Sequence, residues 1–414
     1  MRRNLVVFFL ICFSLHGLSA DEGGIITGLE VEGLRRTKLK VVEYYLERFL
    51  GTEVSEFDEN AVFAAVKDSG VLEPTAAVLV VDNDTGNYIL HVTVEEKWTI
   101  FLIPSASVFQ SGSDFNLQLS DGNIFGIRDY AEINGGFDSN NGWFGGIYYH
   151  HKSNAKIIPG WNTSLNYNRW DREDKDKYGE EIYRKYTTSR LKANFGLDVN
   201  FTDYFSTSVS FFYLDVNNKN IEVKDDKYAV NAKTSLIGIN PSVGIGRSKW
   251  DGILHSGQGA WASLTGHFAI EGSHFVSFGV GGNYEESIVP GFRYMLRSQA
   301  SWTSNNDPST TAIFEGGPGG VNIIGSYSGR NHLSLTAGLE KYIFKAKLGT
   351  MTVQGSYQCA FSDGLIDGKD FNHGPSMGLQ FYLRRFAAPA LGAGAAYNVS
   401  TGIWNWGFRV GGSF

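Results

Sequence analysis

The feature that most constrains this chain is a strict two-residue alternation running from Trp98 to Phe414. Leu191, Ala193, Phe195, Leu197, Val199 and Phe201 occupy alternate positions, with Lys192, Asn194, Gly196, Asp198 and Asn200 between them. Successive side chains of a strand point to opposite sides, so such a segment is a strand with one apolar and one polar face. The pattern recurs at Val276, Phe278, Val280, Gly282 and Tyr284, and again at Trp404, Trp406, Phe408, Val410, Gly412 and Phe414. Strands in this number must close or stack, because each open edge exposes unpaired backbone groups. In a soluble sandwich the apolar face is a core; in a membrane barrel it faces lipid while Gly, Ser, Asn and Gln line the lumen.

Composition favours the barrel. The chain carries 50 glycines in 414 residues, 14% aromatics, only 19% charged residues and nine prolines. Twenty tyrosines and nine tryptophans suit interfacial girdles. A net charge of −7 supplies no basic footprint, which argues against a nucleic-acid partner. Met1–Ala20 reads as a signal peptide, with Arg2 and Arg3 before the apolar stretch Leu5–Leu15 and Leu18-Ser19-Ala20 at the cleavage site. Cleavage removes Cys12 and leaves Cys359, so no disulfide framework is expected.

Sixteen strands are expected, starting near Trp98, Phe115, Ile127, Gly142, Trp161, Lys185, Phe205, Ser235, Gly259, Phe275, Phe292, Leu333, Leu348, Pro375, Ala390 and Ile403. The charged stretches Asp171–Lys185 and Asn217–Lys227 read as surface loops. Ahead of the strands lies a segment of mixed periodicity. Ile25–Val31 reads as a strand, and Thr37 is placed to cap a helix carrying Leu39, Val42, Leu46 and Phe49, ended by Gly51. Ser55 or Asp58 caps a second helix ended by Gly70, and Thr75–Val81 and Asn87–Glu95 follow as strands. The fold class expected is therefore mainly β: a transmembrane antiparallel barrel of about sixteen strands preceded by one small α+β domain.

The β-α-α-β-β order, opening with Leu29-Glu30-Val31-Glu32-Gly33-Leu34 and closing with Val92-Thr93-Val94-Glu95-Glu96, resembles a POTRA domain. The barrel resembles that of the outer-membrane assembly and translocation superfamily (BamA, TamA and two-partner secretion type, with a bacterial surface antigen barrel). Three segments carry the likeness. Leu117–Gly126 ends in Asn-hydrophobic-aromatic-Gly like the family's early hairpin. Phe314-Glu315-Gly316-Gly317, Ile323-Ile324-Gly325 and Leu339-Glu340-Lys341-Tyr342 resemble the region of the inward-folded sixth loop. Phe361-Ser362-Asp363-Gly364 and the terminal strand to Phe414 resemble the last four strands.

With the signal peptide over 1–20, the resemblance implies a POTRA-like periplasmic domain over 22–96 and a barrel over 98–414. It implies a non-enzymatic protein that assists insertion or translocation of proteins at the bacterial outer membrane, a passive porin-like channel being the competing class. Expected partners are outer-membrane lipid, unfolded or partly folded outer-membrane or secreted clients, and periplasmic accessory proteins; no cofactor or metal is expected. By the same resemblance a client strand adds to the edge carried by Thr75, Ala77, Leu79 and Val81. The family's sixth loop carries Val-Arg-Gly-aromatic, whose Arg meets the Asp of the later motif; here Gly325 stands in a stretch without arginine, Asp363 remains, and Arg330 is the nearest substitute. Counting alternately from Met351 puts Asp363 on the lipid side unless a bulge intervenes. The seam between first and last strands is weakened by Pro104, which cannot donate to a ladder, and by Gly411 and Gly412, with Phe414 closing the lipid-facing row. A crosslink across that seam is expected between the neighbourhoods of Ser107 and Asn405.

Catalytic patterns are poor. Gly374-Pro375-Ser376-Met377-Gly378 matches a nucleophile elbow, but its flanks read as strand and no His follows His373. His150 and His151 are adjacent and point to opposite faces of a strand.

Overall fold

The computed structural model describes residues 24–109, 112–139, 141–152, 159–176, 180–202, 204–251, 254–305, 307, 312–314, 327–364, 368–383 and 389–411. The expected signal peptide, Glu315–Gly317, Ile323–Ser326, Gly412 and Phe414 lie outside the described residues. The chain divides into two compact units: the described part of residues 1–99 with Gly122–Arg128, and Ile100–Asp121 with Asp129 onward.

In the smaller unit, β1 (Ile26–Glu32), α1 (Leu39–Leu46), α2 (Glu59–Lys67), β2 (Leu72–Val81) and β3 (Tyr88–Glu96) follow in order. The sheet runs β1-β3-β2, with β3 parallel to β1 and antiparallel to β2. Alternation along β3 turns Leu90, Val92 and Val94 toward the helices, where they meet Ile26, Val42, Leu46, Val62, Val66 and Leu72 in one core. Each such side chain contributes about 1.5–3 kcal/mol on burial. Asp58 caps α2, its side chain accepting from Asn60 N–H at 2.9 Å. Thr37 does not cap α1: the cap position is Lys38, without a side-chain bond, and the Thr37 hydroxyl is engaged elsewhere. Leu39, expected on the apolar face, is exposed, and Val41 takes a buried place instead.

The larger unit is a closed antiparallel barrel. Its strands are β4 (Ile100–Phe109), β5 (Gly112–Ile124), β6 (Asp129–Asp138), β7 (Trp143–His151), β8 (Gly160–Lys175), β9 (Ile182–Asn200), β10 (Phe205–Val223), β11 (Lys233–Asp251), β12 (Leu254–Glu271), β13 (Phe275–Val289), β14 (Phe292–Thr303), β15 (Ala312–Phe314), β16 (Tyr327–Lys345), β17 (Gly349–Gly364), β18 (Gly368–Leu383), β19 (Pro389–Asn398) and β20 (Ile403–Val410). Sixteen of these, among the described residues, form the wall; the short β15 pairs with the start of β16 while β14 and β16 pair directly. Outward alternation carries exposed apolar groups such as Phe195, Phe278, Tyr357, Trp404 and Trp406. Inward alternation carries buried polar ones such as Thr352, Gln354, Gln358 and Ser376. An apolar exterior around a polar interior is what a lipid-facing barrel requires.

Two expectations are corrected. Asp171–Lys175 belongs to β8 and Ile182–Lys185 to β9, and Asn217–Val223 belongs to β10, so the charged stretches are largely strand. They pair charge across the ladder, as Glu173 does with Lys185 at 3.0 Å. Pro375 does not start a strand: β18 begins at Gly368, and Pro375 lies inside it opposite Tyr357. The ladder to β19 ends one residue away, at Ser376↔Ala396, which relieves the demand for a donor at Pro375. As its flanks suggested, Gly374–Gly378 is continuous strand, without the sharp turn that a nucleophile elbow needs.

Candidate functional site

β2 is an edge of the small sheet, with β3 on one side and no strand on the other among the described residues. The register shifts between Pro74 and Ala76, leaving Thr75 as a bulge whose hydroxyl donates to Thr93 O at 3.1 Å. Of the expected edge residues, Ala77 is buried and Leu79 packs on the core, while Val81 is exposed. Ala77 and Leu79 therefore offer a partner strand mainly their main chain. Side-chain recognition on this edge falls to Val78 and Val80, each nearly half exposed on the opposite alternation.

The Asn-hydrophobic-aromatic-Gly segment belongs to the small unit. Asn123 Nδ2 donates to Thr37 Oγ1 at 2.9 Å, and Asn123 Oδ1 accepts from Arg128 N–H at 2.9 Å. Lys38 N–H donates to Gly126 O at 2.8 Å. Gly126 has φ +71°, and a Cβ there would overlap the Arg36 carbonyl, so a side chain is excluded. Beside it, Glu96 Oε1 accepts from the successive backbone N–H groups of Arg35, Arg36 and Thr37 at 3.0, 2.8 and 2.6 Å. Such a backbone cradle favours an anion. Partial burial raises the Glu96 pKa, but the backbone bonds outweigh it and hold the carboxyl below its ordinary value.

At the barrel seam β20 meets β4, among the described residues, through four residue pairs: Gly407↔Phe109, Phe408↔Val108, Arg409↔Ser107 and Val410↔Ala106. The adjoining ladders are longer, with eight pairs between β19 and β20 and ten between β4 and β5. Gly411 follows with φ +105°, and a Cβ on it would overlap the Pro104 carbonyl oxygen and lie 2.6 Å from Ser105 Cα. The structure thus brings Pro104 and Gly411 together, while Ser107 faces Arg409 and not Asn405, which pairs with Ala396.

Arg330 and Asp363 also meet. The register between β16 and β17 shifts between Gly329 and Asn331, so Arg330 bulges from the ladder, and its Nη2 lies 3.5 Å from Asp363 Oδ2. Asn331 Nδ2 donates to the same oxygen at 2.9 Å. Asp363 keeps its ladder places opposite Asn331 and Lys369, on the alternation that carries Phe361, and is buried. Gly325 is outside the described residues.

A second polar cluster was missed by sequence reasoning. Glu340, fully buried, accepts from Arg293 at 2.7 Å, from Thr352 Oγ1 at 2.6 Å and from Tyr382 OH at 3.1 Å. Arg293 also reaches Glu285 at 2.8 Å, and Glu285 holds Arg297 at 2.6 Å. The one available signal was a carboxylate on the inward alternation of a spanning strand, since ionisable groups there are paired and functional.

No protein-family model matches the chain, and no curated protein matches it by sequence. Solved structures do match. BamA from Haemophilus ducreyi lacking POTRA domains 1–3 aligns with TM-score 0.63 and 13% identity, over 94% of this chain and 85% of that one. CdiB from Acinetobacter baumannii gives 0.62 and 14%, over 95% and 74%. CdiB from Escherichia coli gives 0.59 and 11%, over 96% and 92%. The chain therefore shares with them the fold: a closed sixteen-strand barrel with a small α+β unit at its N-terminal side.

Proposed function

We propose that the protein is an outer-membrane β-barrel that assists insertion or translocation of protein clients, without enzymatic chemistry. The observation that carries this reading is the seam: among the described residues it has four residue pairs, followed by a glycine that no other residue replaces without overlap. A short ladder separates at lower cost than a long one, and its separated edges are templates for a client strand. The small unit is read as a POTRA-like periplasmic domain whose β2 edge receives an extended client by main-chain hydrogen bonds, with Val78 and Val80 choosing apolar side chains. The likeness to BamA and CdiB supports the same class of work. Clients are then unfolded or partly folded outer-membrane or secreted proteins, handed on by periplasmic accessory proteins.

The test is depletion followed by a census of outer-membrane proteins, with complementation by Val78→Asp/Val80→Asp. Loss of specific barrels or exported proteins, not restored by the edge variant although it is itself heat-modifiable, is the expected result. An unchanged census, with ion conductance as the sole activity, replaces this reading by the porin-like one.

A further inference from the structure

Four arginines on the inward alternation of the barrel hold carboxylates. Arg172 and Arg184 pair with Asp174, and Arg293 and Arg297 with the glutamates described above. Arg190 and Lys192 of β9 break the pattern. They share the alternation of the buried Arg184, Tyr186 and Thr188, opposite in sense to the exposed Phe195, and so face the lumen. Neither has a carboxylate partner among the described residues. Lys192 Nζ lies 5.3 Å from the Phe212 ring centroid, an aromatic face that steadies a cation without neutralising it.

The neighbours sharpen the point. Across the β8 ladder Arg190 faces Asn168 and Lys192 faces Asn166; across the β10 ladder they face Val216 and Leu214. One inward step further, the three strands carry Ser164 and Trp170, Thr188 and Asn194, and Phe212 and Asn218. No carboxylate stands in this patch. Directly opposed side chains have Cβ atoms about 4.5–5.5 Å apart, and residues two apart on a strand lie about 6.5–7 Å apart. A guanidinium, an ammonium and two carboxamides therefore form a two-by-two square of hydrogen-bond donors on one wall.

The geometry points to a lumen-facing binding site for a phosphate group, held by Arg190 and Lys192 with Asn166 and Asn168 as neutral donors. Phosphate fits better than carboxylate because donors on four corners need three or more acceptor oxygens, and a planar guanidinium binds two of them side by side. The phosphate is either free or the headgroup of a lipid, which the experiment below distinguishes. The site is independent of the protein-insertion reading and survives its failure.

Full-length protein in uncharged detergent and phosphate-free chloride buffer is titrated calorimetrically with inorganic phosphate and, separately, with short-chain phosphatidic acid below its micellar concentration. Saturable binding of either is expected; binding of phosphatidic acid alone assigns the lipid source, and binding of both assigns the phosphate group itself. Arg190→Gln and Lys192→Gln should each weaken binding about tenfold or more, since each removes a charge-assisted hydrogen bond. Lys185→Gln, on the outward alternation of the same strand, should leave it unchanged. Asn168→Asp guards against misfolded variants: it places a carboxylate beside Arg190, fills the site from within, and should abolish binding while the barrel stays heat-modifiable. Absence of binding for both ligands, or binding that Arg190→Gln and Asn168→Asp leave intact, overturns the site.

Discussion

Replacing Gly411 by Ala is expected to open the seam. Glycine at φ +105° is unstrained, whereas a side chain in left-handed backbone costs roughly 1–2 kcal/mol. The added Cβ also overlaps the Pro104 carbonyl and crowds Ser105 Cα, and relieving such overpacking costs about 1–3 kcal/mol. Against this stand the four described residue pairs of the seam. Pairs in an antiparallel ladder alternate between two hydrogen bonds and none, so four pairs make about four bonds, each worth about 0.5–1.5 kcal/mol net. The strain thus matches a large part of the roughly 2–6 kcal/mol holding the seam. Even 2 kcal/mol multiplies the open population about thirtyfold. Hydrogen exchange measured by mass spectrometry reads that population at the amides of Ala106–Phe109. Their exchange should accelerate about thirtyfold in Gly411→Ala, with the β16 and β17 amides unchanged. A disulfide between Val108→Cys and Phe408→Cys, in a Cys359→Ser background, should restore protection, because directly opposed Cα atoms lie within about 5.5 Å and a disulfide tolerates about 7 Å. Equal seam exchange in the two proteins would refute the claim that Gly411 governs closure.

Other expectations are as direct. The same disulfide should abolish client insertion and restore it on reduction, measured by assembly of a reporter barrel into liposomes. Glu340→Ala takes a carboxylate from the buried Arg293; breaking buried pairs costs about 3–5 kcal/mol at the high end, so the temperature at which the barrel loses its compact gel mobility should fall clearly. Because the Glu96 pKa is depressed in the folded state, its contribution is fully present above the ordinary Glu value of about 4.3 and is lost as pH falls through the folded value. Exchange at Arg35–Thr37, corrected for intrinsic pH dependence, should therefore rise on acidification in the wild type and be already high and less pH-dependent in Glu96→Gln.

The barrel was legible in the sequence because its physics is local. Alternation is a property of one strand, and the starts at Phe205, Phe275, Phe292 and Ile403 coincide with the structure. Errors arose where strands outrun their apolar band. β8, β9 and β10 continue through Asp174, Lys185 and Lys219 with charge on both faces, a composition shared with loops. The polar clusters were illegible for a different reason. Arg293 and Glu340 stand 47 residues apart in the chain and meet because Arg293 pairs with Glu340 across the ladder of β14 and β16. Register sets that meeting, and a one-residue slip would turn one partner outward.

Register also explains why the barrel should open at one place. β16 and β17 are joined by fifteen residue pairs, and the Glu340 carboxylate ties β14, β16, β17 and β18 together through Arg293, Thr352 and Tyr382. Parting those strands would strand a buried carboxylate without its donors, a cost far above that of the backbone bonds alone. Across the four described pairs of β20 and β4, Val108 and Phe408 face outward, Gly407 offers no side chain, and Arg409 lies over the Phe109 ring at 5.4 Å from its centroid. A closed ring parts most readily at its weakest joint, so ion pairing across β14, β16, β17 and β18 directs opening to the seam together with the shortness of the seam's described ladder.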